Sequence, residues 1–167
     1  MIFDLFKSKP TISEIIPKGS VDIHSHILPG IDDGPKNAKS SIILIDEMKK
    51  LGYKKIIGTP HSYKNIHDNT SESIKASFNL IEKKVNNVSL KYASEYYLDF
   101  DFINRIGDNL LCIKDKMILV ETNLINHSPN FFEIIFDLIM SGYKPIIAHP
   151  ERYLYFKDNH YKKLKNM

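Results

Sequence analysis

The chain has 167 residues, of which 43% are hydrophobic and 26% charged, enough for one sizeable core and outside the disordered, fibrous and disulfide-stapled classes. Lys and Arg number 23 against 20 Asp and Glu, and the surplus gathers in the last stretch, KDNHYKKLKNM, rather than along an aromatic-interleaved face; nucleic acid is not the expected partner. Cys112 is the only cysteine, which excludes an intramolecular disulfide, a thiolate zinc cage and a Cys-x-x-Cys redox pair and fits a reducing compartment.

The apolar start MIFDLFKSKP is interrupted by Asp4 and Lys7 before a signal-peptide core of adequate length forms. No stretch approaches a membrane span, so a cytoplasmic location without membrane insertion is expected. After a lead-in ending at Pro17-Lys18-Gly19, short apolar runs alternate with longer helix-like ones, the pattern of an α/β protein forming a single domain over 1–167. VDIHSH (21–26) reads as a strand, and NAKSSIILIDEMKKLG as a helix that starts near Asn37 and stops at Gly52. KKIIGTPH (54–61) reads as a second strand. Asn69 and Glu72 have the spacing of a capping box, predicting a helix that runs to about Asn87. LKYASEYYL (90–98) reads as a third strand and DFDFINRIG as a short helix. LLCI and MILVET (117–122) supply one or two strands. NFFEIIFDLIMSG (130–142) predicts a buried helix whose narrow wet edge is Glu133 and Asp137. KPIIAHP (144–150) gives a further strand and the tail a basic helix.

Nearly every predicted strand ends in a residue able to bind metal: His24 and His26, His61, Glu95, Glu121 and His149. In parallel α/β folds the C-terminal strand ends converge on the edge where active sites assemble. Residues i and i+2 of a strand project to one face about 7 Å apart, so His24 and His26 can chelate one ion. Singly, each residue has an ordinary explanation: a surface histidine pair, or loop histidines packed by neighbouring prolines in TPH and AHP. Glu95 and Glu121 follow apolar runs, where an unpaired carboxylate is costly to bury. Their coincidence at separate strand ends points to a polynuclear metal site. Asp32 and Asp33 suit a turn with Gly34, and one of them is near enough to join the cluster. His67, His127 and His160 are expected to face solvent.

Imidazole and carboxylate ligands without thiolate suit Mn, Fe or Zn. Closely spaced ions of this kind hydrolyse phosphate esters by activating water and neutralising phosphoryl oxygens. Arg152, in HPERY, is placed to grip the phosphate, the alternative being an ion pair with Glu151 or Asp158. A cysteine phosphatase is excluded, because the sixth position after Cys112 is Ile118 rather than Arg. Neither a G-x-x-x-x-G-K-[ST] loop nor a G-x-S-x-G elbow is present.

HSHILPGIDDG, TPH, SEYYLD, LVET and AHPERY, in this order, resemble the polymerase and histidinol phosphatase (PHP) family. More narrowly, they are similar to its bacterial manganese-dependent protein-tyrosine phosphatases of capsular and extracellular polysaccharide synthesis. The resemblance implies a distorted (β/α)7 TIM-like barrel, with about five of its βα units in this chain, and up to three metal ions, Mn²⁺ first. By the same resemblance His24 and His26 hold one ion with Glu95 bridging to a second, Glu121 and His149 complete the second, and Asp33 and His61 hold the third. Arg152 would bind the substrate phosphate. The implied partner is a phosphotyrosine protein, such as a bacterial tyrosine kinase of polysaccharide export. Relatives continue beyond this point into closing strands and an Asp-x-His, so an incomplete barrel is expected, with an oligomer or complementing chain as one way to complete it. Two alternatives stay open: hydrolysis of a small phosphate monoester such as histidinol phosphate, and a weakly active remnant that binds metal or a partner.

Overall fold

The computed structural model describes residues 9–107 and 109–167. The reading of the N-terminal apolar start falls largely on residues 1–8, outside the described residues. A short helix α1 (Ile12–Ile15) leads into β1 (Val21–Ser25), α2 (Ala38–Lys50), β2 (Lys55–Gly58), β3 (His61–Ser62) and α3 (Ser71–Asn79). β4 (Ser89–Tyr92), β5 (Glu95–Tyr97), β6 (Met117–Glu121), α4 (Phe131–Met140), β7 (Lys144–Ile147) and α5 (Asp158–Lys165) follow. The strands form two sheets, in the orders β1-β2-β4 and β3-β5-β6-β7, and every pairing is parallel. The α/β expectation therefore stands as parallel sheets with helices between strands. No closed barrel forms among the described residues, since β1 and β7 remain outer edges.

The runs 54–61 and 90–98, expected as single strands, each break in two and change sheet. Pro60 has no N–H to give to a ladder, and the chain bends there. The pairing is nevertheless carried across the bend: Ala93 N–H donates to the Gly58 carbonyl at 2.9 Å and Glu95 N–H to the Pro60 carbonyl at 3.0 Å. The Ser94 hydroxyl also donates to the Pro60 carbonyl, at 3.1 Å. His61 and Glu95 consequently open β3 and β5 instead of closing longer strands.

Strand alternation sorts the core. Ile56 packs with Ile45, Ile74 and Phe78 under the helices of the first sheet, while Ile118 and Val120 pack with Phe131, Ile134 and Leu138 under α4. Their neighbours Ile57, Ala93 and Leu119 point the other way and form a smaller inner cluster. The metal-binding residue types cap this inner face.

Other expectations need correction. α3 is capped by Thr70, reciprocated by Ser73; Asn69 Oδ1, the atom a cap would use, accepts instead from the Ser73 hydroxyl at 3.2 Å, while its Nδ2 donates to the carbonyls of Ile31 and His61, both at 2.8 Å. α3 ends at Asn79 and gives way to a 3₁₀ turn at Glu82–Lys84 instead of reaching Asn87. Asn87 has a φ of 65°, incompatible with a continuing right-handed helix. LLCI forms no strand; Leu111 N–H donates instead to the Tyr96 hydroxyl at 2.9 Å. The solvent edge of α4 is wider than Glu133 and Asp137, since Phe136 is 53% and Met140 69% exposed.

Candidate metal centre

The two-residue period of a strand sets His24 and His26 on one face at the end of β1, and sets Glu121 on the face of Leu119 at the end of β6. β3 and β5 run side by side with His61 opposite Glu95. His149 follows β7 with φ 30° and ψ 55°, a left-handed conformation that costs about 1–3 kcal/mol in a non-glycine residue. That residue turns the chain into the 3₁₀ turn Pro150–Arg152. His24, His26, Asp33, His61, Glu121, His149 and Arg152 thereby line one cavity of about 440 Å³.

At its base lies Glu95, whose side chain is fully buried. Its Oε2 stands 3.1 Å from His24 Nε2, 3.3 Å from His26 Nε2 and 3.2 Å from His61 Nδ1. Oε1 lies 3.0 Å from His149 Nε2. Glu121 Oε1 approaches His61 Nδ1 at 2.8 Å, and its Oε2 lies 3.6 Å from His149 Nε2. Despite these distances, Glu95 Oε2 and His61 Nδ1 are buried without a hydrogen bond of acceptable geometry. Crowded, unsatisfied donor atoms of this kind fit a bound cation. Three sets of ligand atoms lie mutually within 4.8 Å: His24 with Glu95 and His149, His26 with His61 and Glu95, and His26 with Asp32 and Asp33.

Asp32 has a larger part than a turn residue. It is buried; its Oδ2 meets His26 Nδ1 at 2.7 Å, its Oδ1 accepts from Gly34 N–H at 2.9 Å, and Oδ2 accepts from His61 N–H at 3.3 Å. One carboxylate thus orients the imidazole of His26 and ties down the backbone of His61. Asp33 is at the rim, its side chain 68% exposed and its Oδ1 3.4 Å from His26 Nδ1. Gly34 is demanded by packing: a Cβ there would run into the His26 carbonyl oxygen and sit 3.0 Å from Asp32 Oδ1.

The electrostatics follow from this crowding. Burial alone would raise Glu95, but His24 and His26 hold it well below the usual carboxylate range. Burial disfavours the imidazolium of His26, yet Asp32 and Glu95 outweigh it and carry its pKa up to about 10. His61 is raised as well, burial again being overcome by Glu121. Glu95 therefore stays charged and calls for positive charge beside it, which a divalent cation can supply.

Arg152 is exposed, lines the cavity, and has no ion-pair partner among the described residues; the pairs weighed with Glu151 and Asp158 do not form. His127 is exposed, whereas two histidines expected in solvent are not fully there. His160 is half-buried and stacks on Phe156, with ring centroids 5.4 Å apart. His67 is half-buried and stacks on His61 at 5.4 Å and 14°. The turn that brings it back, Tyr63 to His67, closes through His67 N–H to the Tyr63 carbonyl at 2.7 Å. Asn65 takes φ 65° in that turn, and its residue type, which tolerates the left-handed region, is the signal the sequence offers.

A comparison with protein families matches residues 20–167 to the family described as capsular polysaccharide synthesis, CpsB/CapC. The chain belongs to the CpsB/CapC family. Among similar proteins, the tyrosine-protein phosphatase YwqE of Bacillus subtilis is 31% identical over 149 residues, covering 83% of this chain and 57% of YwqE. The tyrosine-protein phosphatase CpsB of Streptococcus agalactiae is 28% identical over 139 residues, covering 80% of this chain and 57% of its own length. This chain therefore spans little more than half the length of those relatives. A solved structure from work on YwqE of Bacillus subtilis and CpsB of Streptococcus pneumoniae, described as metal-dependent tyrosine phosphatases, superposes with a TM-score of 0.73 at 27% identity. It covers 80% of this chain and 56% of the solved one.

Proposed function

We propose that this chain carries the site of a metal-dependent phosphoesterase acting on phosphotyrosine in proteins of capsular polysaccharide synthesis, with a bacterial tyrosine kinase of the export machinery as partner. The observation that carries the proposal is Glu95: a buried, ionised carboxylate facing four imidazoles at the base of the cavity lined by Arg152. His24, Glu95 and His149 would hold one ion and His26, Glu95 and His61 a second, with Glu121, Asp33 and Asp32 adjoining. Mn²⁺ is the proposed metal, with Fe and Zn compatible with the same donors. Bound there, such ions supply activated water and offset the charge of the phosphoryl oxygens. Arg152 offers a guanidinium fork for the phosphate, and the buried carboxylates keep the imidazoles oriented. We read the parallel sheets as part of a distorted PHP-type barrel in a single domain over 1–167, working in the cytoplasm.

The test is hydrolysis of a phosphotyrosyl peptide beside histidinol phosphate by the Mn²⁺-loaded chain. The peptide should be the better substrate, EDTA should abolish turnover, and Cys112→Ser should leave it intact. Arg152→Ala should keep metal content and lose phosphate affinity or turnover. Turnover indifferent to EDTA but lost in Cys112→Ser would overturn the metal mechanism.

A further inference from the structure

The tyrosine pair beside the metal centre has no role in the chemistry above, yet its placement follows the same strand period. Tyr63 lies two residues beyond His61 and Tyr97 two residues beyond Glu95, on neighbouring segments held in register by the pairing of β3 with β5. The two rings stack with centroids 3.8 Å apart and planes at 10°. Next to them is a hollow of about 370 Å³ that shares His61, Glu121 and Leu124 with the metal cavity. Its outer wall is apolar and open to solvent: Ile66 is 60% and Ile125 67% exposed. The loop bearing Leu124 and Ile125 is braced, because the Asn123 side chain accepts from Ile125 N–H and Asn126 N–H, both at 2.8 Å, and Leu154 N–H donates to the Leu124 carbonyl at 3.0 Å. Neither lysine nor arginine lines this hollow, while Arg152 lines the adjoining one.

We infer that the hollow walled by Tyr63, Tyr97, Leu124 and Ile125 seats the aryl ring of the substrate, and that it sets a preference for aryl over alkyl phosphates. This rests on the phosphatase reading and adds a specificity-determining surface to it. The division of charge decides the orientation: the phosphate end belongs with Arg152 and the metal ligands, and the uncharged ring belongs where neither lysine nor arginine reaches and where apolar side chains are otherwise left wet. A flat ring gains from both area and geometry there, since aromatic pairs contribute beyond their buried area. A substrate with a second anionic group in place of the ring meets no lysine or arginine in the hollow and has the Glu121 carboxylate in its wall.

The experiment measures binding, by calorimetry on the Mn²⁺-loaded chain, of phenylphosphonate and methylphosphonate, neither of which is hydrolysed. The native chain should bind phenylphosphonate more tightly. In Tyr97→Ala, affinity should fall on the order of tenfold further for phenylphosphonate than for methylphosphonate, whereas Tyr97→Phe should keep the native ratio because the ring face is retained. Ile125→Ser, a change on an exposed loop, should lower the ratio in the same direction and serves where Tyr97→Ala lowers metal content or folding. Equal ratios in native, Tyr97→Ala and Ile125→Ser chains overturn the aryl seat while leaving the phosphatase reading in place. A metal-loaded chain that binds neither phosphonate overturns both.

Discussion

Glu95 stays ionised although fully buried because imidazoles surround it, and that makes it the residue whose charge matters most. Glu95→Gln keeps the volume and removes the charge. Since loss of an outer-shell partner alone typically costs about 10- to 100-fold in metal affinity, Glu95→Gln should cost at least that, read as Mn²⁺ content after dialysis against a known free concentration. Asp32→Asn is the subtler test. It keeps an acceptor for Gly34 but weakens the grip on His26 Nδ1, so Mn²⁺ affinity should fall about tenfold with the melting temperature of the chelated protein little changed. Unaltered Mn²⁺ binding in Asp32→Asn would show that His26 needs no orienting partner. At this scale the sequence was informative about the shared face of His24 and His26, which the strand period sets locally, but not about their expected chelation of one ion, since His24 gathers with Glu95 and His149 and His26 with His61 and Glu95. It was uninformative about Asp32 and His67, whose partners arrive through turns: Asp32 meets His61 across 29 positions, and His67 stacks on His61 only after the chain reverses.

At the level of elements, helix and strand types were legible where periodicity was strong, as in α2, α4 and β6. The breaks in 54–61 and 90–98 were not, because apolar character runs unbroken across them; only Pro60 signals the first, and the second is imposed by pairing with it. α3 starts one residue later than its sequence predicts because Asn69, a good cap by type, commits its Oδ1 to the Ser73 hydroxyl and its Nδ2 to the Ile31 and His61 carbonyls. The segment from β1 to α2 carries its own element-scale constraint. Gly34 lies against the backbone of His26, so Gly34→Ala must push the Asp32–Asp33 turn away from the histidines. Overpacking of this sort costs about 1–3 kcal/mol, and here it should lower stability to urea and Mn²⁺ affinity together. A Gly34→Ala chain that is less stable yet binds Mn²⁺ normally would separate the turn from the site.

For the whole molecule, the proposed ligands come from both sheets: His24 from the first, and His61, Glu95 and Glu121 from the second. Metal binding should therefore stabilise the entire chain. At a free Mn²⁺ concentration 100 times its Kd the gain is about 2.7 kcal/mol, which for a chain of this size is roughly 5–10 °C in Tm. EDTA should reverse it, and a Tm insensitive to both Mn²⁺ and EDTA would argue against a site that links the sheets.

The passage of β2 into β3 and of β4 into β5 has one more outcome, which concerns the order in which the protein comes apart. A parallel sheet can fray from its outer strands, and β1 and β7 are free to do so. The crossings are held more firmly, because each joins a strand interior to its own sheet, β2 in the first and β5 in the second, directly to a strand of the other sheet. The amide protons of Ala93 and Glu95, bonded to Gly58 and Pro60 across the bends, should then be among the slowest to exchange with deuterium and leave only through global unfolding. Those of Val21 and Lys144 should exchange through local opening, many times faster. Fast exchange at Ala93 and Glu95 in the intact chain would refute this. If it holds, the carboxylate that gathers the histidines sits in the last part of the molecule to loosen, so that damage at either margin reaches the reactive centre late.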